Sequence, residues 1–156
     1  MSIRIEYLAD QEFHLPQVAQ WQHAQFGYLN PAGTLEQRSG GLRDALHRDR
    51  IPMALIAVSE DGQLVGSASI LVATLTHQHL TPWLSSVFVP PEMRGRSIAS
   101  ALSLRAAGAA ARLGFKMLYL STPHNESLDA RLGWKTFDRT VHNGLPLTLM
   151  ERPVGR

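Results

Sequence analysis

The sequence predicts a mixed α/β domain with the element order β-α-α-β-β-β-α-β-α-β-β. Short apolar runs with strand character alternate with segments of helical spacing, and glycines and prolines separate them. Asn143-Gly144 joins the last two apolar runs, a dipeptide typical of a type I′ hairpin. A chain of 156 residues without internal repeats is expected to form one domain, residues 1–156, with a buried core.

The first half supplies a strand, two helices and a hairpin. The predicted segments are a strand at 2–8, helices at 14–25 and 34–47, and strands at 53–59 and 63–74. Thr34, followed three positions later by Gln37, forms a capping-box pattern that predicts where the second helix begins. A tight turn at Glu60-Asp61-Gly62 is expected to join the two later strands.

The second half supplies the remaining six elements. They are predicted as strands at 83–89, 116–122, 134–142 and 146–151, a long helix at 97–113 and a short one at 125–132. Pro90-Pro91 ends the first of these strands, since proline cannot donate to a strand ladder. Gly114 follows the long helix, as glycine often does just past a helix end.

Composition narrows the functional class. The chain is 44% hydrophobic and 18% charged, with a formal charge of +2. It contains no cysteine, which excludes disulfides, cysteine metal ligands and a cysteine nucleophile. No apolar run approaches the roughly 20 residues that span a bilayer, and the N-terminus lacks the apolar core of a secretion signal. We therefore expect a cytoplasmic protein with no membrane partner. The arginines are scattered, so a nucleic-acid-binding domain is the least favoured alternative.

The junction between strand 83–89 and helix 97–113 predicts an anion site. A strand, an arginine-rich turn and a helix start place several free backbone N–H groups together, where the helix dipole adds positive charge. Gly95 allows close backbone approach, and Arg94 and Arg96 can add charge-assisted contacts to a phosphate. The alternative interpretation is a solvated arginine loop.

The stretches VFVPPEMRGRSIASAL, RAAGAAARLGF, LYLST and RLGW together resemble the GCN5-related N-acetyltransferase (GNAT) superfamily. The family's cofactor motif, [Q/R]-x-x-G-x-[G/A], would be residues 94–99. The resemblance implies a twisted mixed sheet of about six to seven strands with about four helices. It also implies an acetyl-CoA-dependent N-acetyltransferase that acts on a primary amine by direct attack in a ternary complex, without a metal. A non-catalytic or regulatory acyl-CoA-binding module is the alternative.

The resemblance also implies a cofactor site. Strands 83–89 and 116–122 would splay apart to admit the thioester, with the backbone of Val87 and Val89 along the pantetheine arm. The implied cofactor contacts are Val87, Phe88, Val89, Arg94, Gly95, Arg96, Ser97, Ile98, Ala99, Ser100 and Asn125. The Val89 N–H would also stabilise the tetrahedral oxyanion. Because dimers are common in this family, the resemblance allows a homodimer.

Two positions depart from the family pattern. Ser97 stands at the first motif glycine, which is compatible with the motif if its backbone stays helical, and its hydroxyl would cap the helix or donate to a phosphate. Asp129 stands where many members have a tyrosine that protonates the leaving thiolate. An aspartate with an ordinary pKa of about 3.9 is ionised at pH 7 and cannot donate a proton. Either its pKa is raised, another group or water donates, or it is a surface residue paired with an arginine.

The sequence says less about the acceptor site than about the cofactor site. Loops 26–34 and 75–82 are expected to border it, with Phe26, Tyr28 and Trp83 as pocket residues, although Trp83 suits the core equally well. Glu36 and Asp44 would attract a cationic amine. The last two candidates are His77 and His79, which lack a third metal ligand, so no metal site is predicted, and His79 is the candidate base.

Overall fold

The computed structural model describes residues 2–74 and 76–155. Within them a seven-stranded mixed sheet is flanked by four α-helices, as predicted. The strands are β1 (Ile3–Tyr7), β2 (Met53–Ser59), β3 (Leu64–Leu71), β4 (Trp83–Phe88), β5 (Met117–Thr122), β6 (Lys135–His142) and β7 (Leu145–Pro153). The helices are α1 (Leu15–Phe26), α2 (Leu35–Arg43), α3 (Ile98–Arg112) and α4 (Glu126–Arg131).

Local sequence signals define most element ends. Thr34 and Gln37 form both hydrogen bonds of the capping box at the start of α2. The β6–β7 turn has positive φ at Asn143 (52°) and Gly144 (77°), as a type I′ turn requires. The second helix was predicted to reach residue 47 but ends at Arg43. Beyond it the Ala45 carbonyl accepts a hydrogen bond from Ala54 N of β2, so the chain turns onto the sheet.

The sheet order is β1-β2-β3-β4-β5-β7-β6, and only the central pair β4–β5 is parallel. Alternate strand residues face opposite sides of the sheet. One side packs against α3, in a core that includes Leu55, Ile70 and Leu118. The other side packs against α1 and α2 through residues such as Ile56 and Val58. None of the helices in the described part of the chain is long and apolar enough to span a bilayer.

Two irregularities shape the middle of the sheet. Between the register pairs Ser67–Phe88 and Ser69–Ser85, β4 has one residue more than β3, which makes a β-bulge where Ser86 has φ of 54°. On the opposite edge of β4, Trp83–Tyr119 is the one register pair formed with β5 among the described residues. The two central strands therefore separate beyond Trp83, and β4 presents an unpaired backbone edge there, as expected from the resemblance.

Candidate functional site

The N-terminus of α3 lies beside this unpaired edge. The Nε of Arg94 donates a hydrogen bond to the Val89 carbonyl over 3.0 Å, which joins the loop to the end of β4. Gly95 has φ of 79°, and a Cβ there would meet no atom within 4 Å, so there is open space against the backbone. The first helical bond runs from Ala101 N to Ser97 O, which leaves the preceding N–H groups of residues 98–100 without a partner in the described structure.

Ser97 adopts a conformation that the sequence did not predict. Its backbone lies in the left-handed region, with φ 61° and ψ 23°, and its side chain makes no capping hydrogen bond. The expectation of a helical backbone with a capping hydroxyl is therefore wrong. The left-handed region is unfavourable for a residue with a Cβ and natural for glycine, which gives a physical reason for the glycine in the family motif.

The end of β4 combines buried side chains with free backbone. Val89 is 8% exposed and belongs to the core on the α3 side, against which Val87 also packs. The ring of Phe88 packs against that of Trp21 with a centroid separation of 5.1 Å. These side chains fix the position of the strand, and what remains available to a ligand is the backbone edge that faces β5.

A cavity of about 250 Å³ lies on the other face of the sheet, against the bulge of β4. Its walls come from α1, α2, the loop between them, β3 and β4: Gln22, His23, Gly27, Asn30, Gly33, Thr34, Gln37, Arg38, Gly41, Leu42, Ala45, Ser69, Leu71, Ser85 and Ser86. Gln22 is buried and donates from Nε2 to Ser69 Oγ over 3.2 Å. The hydroxyl oxygens of Ser85 and Ser86 lie 3.3 Å apart.

The cavity, strand β4 and the start of α3 all lie in the part of the chain that matches a known protein family. The model of the acetyltransferase (GNAT) family matches residues 15–131, which include the bulged strand, the loop before α3 and all of α3. The chain belongs to this family. GNAT acetyltransferases use acetyl-CoA as the acyl donor. A search of curated protein sequences gave no significant match.

Solved GNAT structures share the whole fold. The crystal structure of an aminoglycoside 6′-N-acetyltransferase complexed with coenzyme A is 16% identical, with a TM-score of 0.76 over 99% of this chain and 97% of that chain. A spermidine/spermine N-acetyltransferase from Vibrio cholerae, in mutant form, is 15% identical, with a TM-score of 0.69 over 97% and 95%. A GNAT acetyltransferase from Streptococcus pneumoniae is 16% identical, with a TM-score of 0.71 over 99% and 100%. At these identities the likeness concerns the fold.

The start of α3 fits the phosphates of the GNAT acyl donor. Its unpartnered N–H groups are donors for phosphate oxygens, and the open space at Gly95 lets a ligand approach the backbone. Arg94 and Arg96 are exposed in the same loop. Because Nε of Arg94 is bonded to Val89 O, its remaining guanidinium N–H groups are the ones left for a ligand.

Asp129, which the resemblance aligns with the family's tyrosine, is half-buried. Burial raises the pKa of its carboxyl group from 3.8 to about 6. Its carboxylate has no ion pair in the described structure, so the interpretation as a surface residue paired with an arginine is wrong. Asn125 is exposed just past β5, and its backbone N donates to Thr122 Oγ1 over 2.9 Å.

Four residues of loop 26–34 line the cavity, but the three side chains predicted for the acceptor pocket do not. Trp83 is 1% exposed, its ring packs against Tyr119 and its Nε1 donates to Leu80 O over 2.7 Å, so it is a core residue. Tyr28 is exposed beside the β6–β7 turn and lines a second cavity of about 240 Å³. Phe26 is half-buried and lines neither cavity.

Several cavity residues were missed in the sequence, among them Gln22, Arg38 and the two serines of the bulge. Arg38 and Gly41 share a helical face with Thr34, but the sequence does not show which face of α2 meets the sheet. The two acidic residues expected to attract an amine, Glu36 and Asp44, are exposed and do not line the cavity. Their attraction of an amine stays a prediction.

The histidine pair lies near β6. His77 Nε2 is 2.7 Å from Asp138 Oδ2, and this hydrogen bond lowers the pKa of Asp138. His79 is exposed, with its ring 5.9 Å from that of His77, and it does not line the cavity at the bulge of β4. Leu75, in the same predicted loop, and residues 1 and 156 of the predicted domain lie outside the described residues. No cluster of three or more metal-ligating side chains occurs among those that are described.

Proposed function

We propose that this GNAT protein is an acetyl-CoA-dependent N-acetyltransferase that moves an acetyl group to a primary amine by direct attack in a ternary complex. One observation supports this most strongly. The unpartnered N-terminus of α3 lies on one side of the β4–β5 separation, and the cavity at Ser85 and Ser86 lies on the other. A donor held at α3 with its thioester in the gap would meet an amine held in the cavity.

We assign the binding roles on this geometry. The N–H groups of residues 95–100, with Arg94 and Arg96, would hold the pyrophosphate, and Asn125 would add a polar contact at the far side of the gap. The free edge of β4 at Val87, Phe88 and Val89 would pair with the amides of the pantetheine arm, as an added strand does. Positioning two bound reactants in this way can supply most of the acceleration.

In the transfer step, the amine nitrogen forms a bond to the thioester carbonyl carbon, and the C–S bond then breaks. The Val89 N–H donates to the oxygen that becomes negatively charged in between. The nitrogen loses one proton and the departing CoA thiolate gains one, so acetyl-CoA and the amine give the acetamide and CoA. His23 lines the cavity, so we assign the role of base to His23 rather than to His79.

Asp129 is the proposed proton donor to the thiolate. With a pKa of about 6, about a tenth of its carboxyl groups carry a proton at pH 7, whereas an ordinary aspartate is almost fully ionised. A thiol has a pKa near 8.5, so the transfer from Asp129 to the thiolate is downhill. The half-buried carboxyl group is therefore suited to the tyrosine's role.

A second candidate function is a non-catalytic or regulatory acyl-CoA-binding module. The observation that favours it is the replacement of the family's tyrosine by Asp129. A cytoplasmic location and a homodimer stay predictions from the sequence and the resemblance.

The proposal is tested by incubating the purified protein with acetyl-CoA and a panel of primary amines. CoA release is followed with a thiol reagent, and the acetylated amine is identified by mass spectrometry. We expect release that depends on both the amine and the protein. Acetyl-CoA binding without release for any amine in the panel would support the binding module instead.

A further inference from the structure

The lining of the proposed acceptor cavity carries a positive charge. Among the residues that line it, Arg38 is the one side chain with a permanent charge, and no aspartate or glutamate is present. The other polar walls come from neutral groups such as Asn30, Thr34 and Gln37. A site for a polycation would be expected to present carboxylates, because complementary charge steers binding and like charges repel. The cavity therefore matches an acceptor that carries negative charge.

The side chain of Arg38 has no hydrogen-bond or ion-pair partner inside the described structure. Its backbone N–H bonds to Thr34 O, but its guanidinium forms no hydrogen bond or ion pair with the described residues. Several other arginines are paired, for example Arg112, which bonds the hydroxyl of Tyr7, and Arg139, which pairs with Glu126. Arg38 is also half-buried, and this burial lowers its pKa. An unpaired, partly desolvated guanidinium with five donors gains most from a bound anion.

The shape of α2 leaves room for that anion. Arg38 and Gly41 of α2 form one wall of the cavity, together with Thr34 just before the helix and Ala45 just after it. At Gly41 a Cβ would meet no atom within 4 Å, so the space beside Arg38 is open. The cavity of about 250 Å³ is below the roughly 300–1,000 Å³ typical of sites for drug-sized ligands. It fits a small molecule that touches both Arg38 and the bulge of β4.

We propose that the acceptor is a small amine bearing a carboxylate, as in an amino acid, and that Arg38 binds this carboxylate while the amine lies at Ser85 and Ser86. The inference rests on the proposed transferase function and names the substrate class of the same site. It sets this chain apart from transferases of polyamines, whose acceptors carry only positive charge.

Direct binding tests the inference without requiring turnover. The protein saturated with CoA is titrated by calorimetry with amino acids of different side-chain size, each paired with its own carboxamide, and with spermidine. We expect an amino acid to bind roughly 10–100-fold more tightly than its carboxamide, as for a hydrogen bond to a charged group. Equal or tighter binding of the carboxamides or of spermidine would overturn the inference, and so would the absence of binding by every amino acid.

Two arginine variants on the same helix localise the effect. Arg38→Gln should abolish the preference for carboxylate over carboxamide and leave the Kd for acetyl-CoA unchanged. Arg43→Gln removes the same charge from an exposed position outside the cavity and should keep the preference. An unchanged preference in Arg38→Gln, with the protein folded, would assign the selectivity to another group.

Measuring the acetylation of the same amino acids, carboxamides and spermidine distinguishes this inference from the proposed function. If carboxamides or spermidine are acetylated and amino acids are not, the transferase function holds and the carboxylate inference fails. If amino acids bind through Arg38 and no amine is acetylated, the inference about the ligand holds and the transferase function fails.

Discussion

Arg94 Nε donates a hydrogen bond to the carbonyl oxygen of Val89 over 3.0 Å. This bond links the loop that would hold the pyrophosphate to the strand end that would hold the thioester. The two halves of the proposed donor site are therefore fixed to one another before a ligand binds, which reduces the entropy lost on binding.

The first prediction concerns this bond. Arg94→Ala should lower the free energy of unfolding by about 1 kcal/mol, because it removes a hydrogen bond that orders the loop. It should also weaken acetyl-CoA binding. Arg96→Ala is the control, since Arg96 is exposed and forms no such bond, and it should weaken acetyl-CoA binding with little change in stability. Denaturant unfolding and calorimetric titration measure both quantities. Equal stability losses in the two variants would argue against the structural role of Arg94.

The second prediction concerns the strained residue at the start of α3. Ser97→Gly should raise the free energy of unfolding by about 1 kcal/mol, because glycine has no Cβ penalty at a φ of 61°. Acetyl-CoA binding should be kept. Ser100→Gly, a few residues on within the helix, should instead lower the free energy of unfolding by roughly 0.5–1 kcal/mol. If Ser97→Gly destabilises as Ser100→Gly does, Ser97 is not in the left-handed region in solution.

The third prediction is a pH dependence at Asp129. Burial raises the pKa of its carboxyl group from 3.8 to about 6. Between these pH values the folded protein keeps a proton on Asp129 that the unfolded chain loses. Above pH 6 the folded protein holds a buried negative charge, which lowers its free energy of unfolding. Asp129→Asn should therefore stabilise the fold by about 1–3 kcal/mol at pH 8, with the gain falling as the pH drops and disappearing near pH 4. Denaturant unfolding across this range measures it.

The same variant tests the catalytic role. Asp129→Asn should lower kcat by about 10²-fold or more while the Kd for acetyl-CoA stays the same, because the amide cannot supply a proton. Glu92→Gln, at an exposed turn, is the control and should change neither the pH dependence nor kcat. A wild-type kcat in a stable Asp129→Asn protein would assign the proton to water or to another group.

The fourth prediction uses two neighbouring glycines of α2. A Cβ at Gly40 or Gly41 would meet no atom within 4 Å, but only Gly41 lines the cavity. Gly41→Leu should raise the acceptor KM at least about tenfold by filling the space beside Arg38. Gly40→Leu should leave the acceptor KM unchanged, and both should keep the Kd for acetyl-CoA. Steady-state kinetics with the best amine decides between them, and equal KM values would place the acceptor elsewhere.

Features set by neighbouring residues in the chain were predictable from the sequence. The Asn143-Gly144 turn and the Thr34 capping box depend on local backbone geometry, and the arginine turn before α3 is contiguous in the chain. The separation of β4 and β5 was expected only through the resemblance, because it depends on which strands become neighbours.

The acceptor side could not be predicted in the same way. Arg38 and Ser86 are far apart in sequence, and they share a cavity only because α2 and the bulged strand β4 form two of its walls. Trp83 was a candidate pocket residue, but packing against Tyr119 buries it. The raised pKa of Asp129 likewise follows from burial that the sequence does not show.

The most direct test of the donor site is the melting temperature of the purified protein with and without saturating acetyl-CoA. A ligand at 100 times its Kd adds about 2.7 kcal/mol of stability. For a chain of this size we predict a rise of roughly 5–10 °C. A melting temperature that stays constant across all acetyl-CoA concentrations, with the protein folded, would contradict an acyl-donor site at the N-terminus of α3.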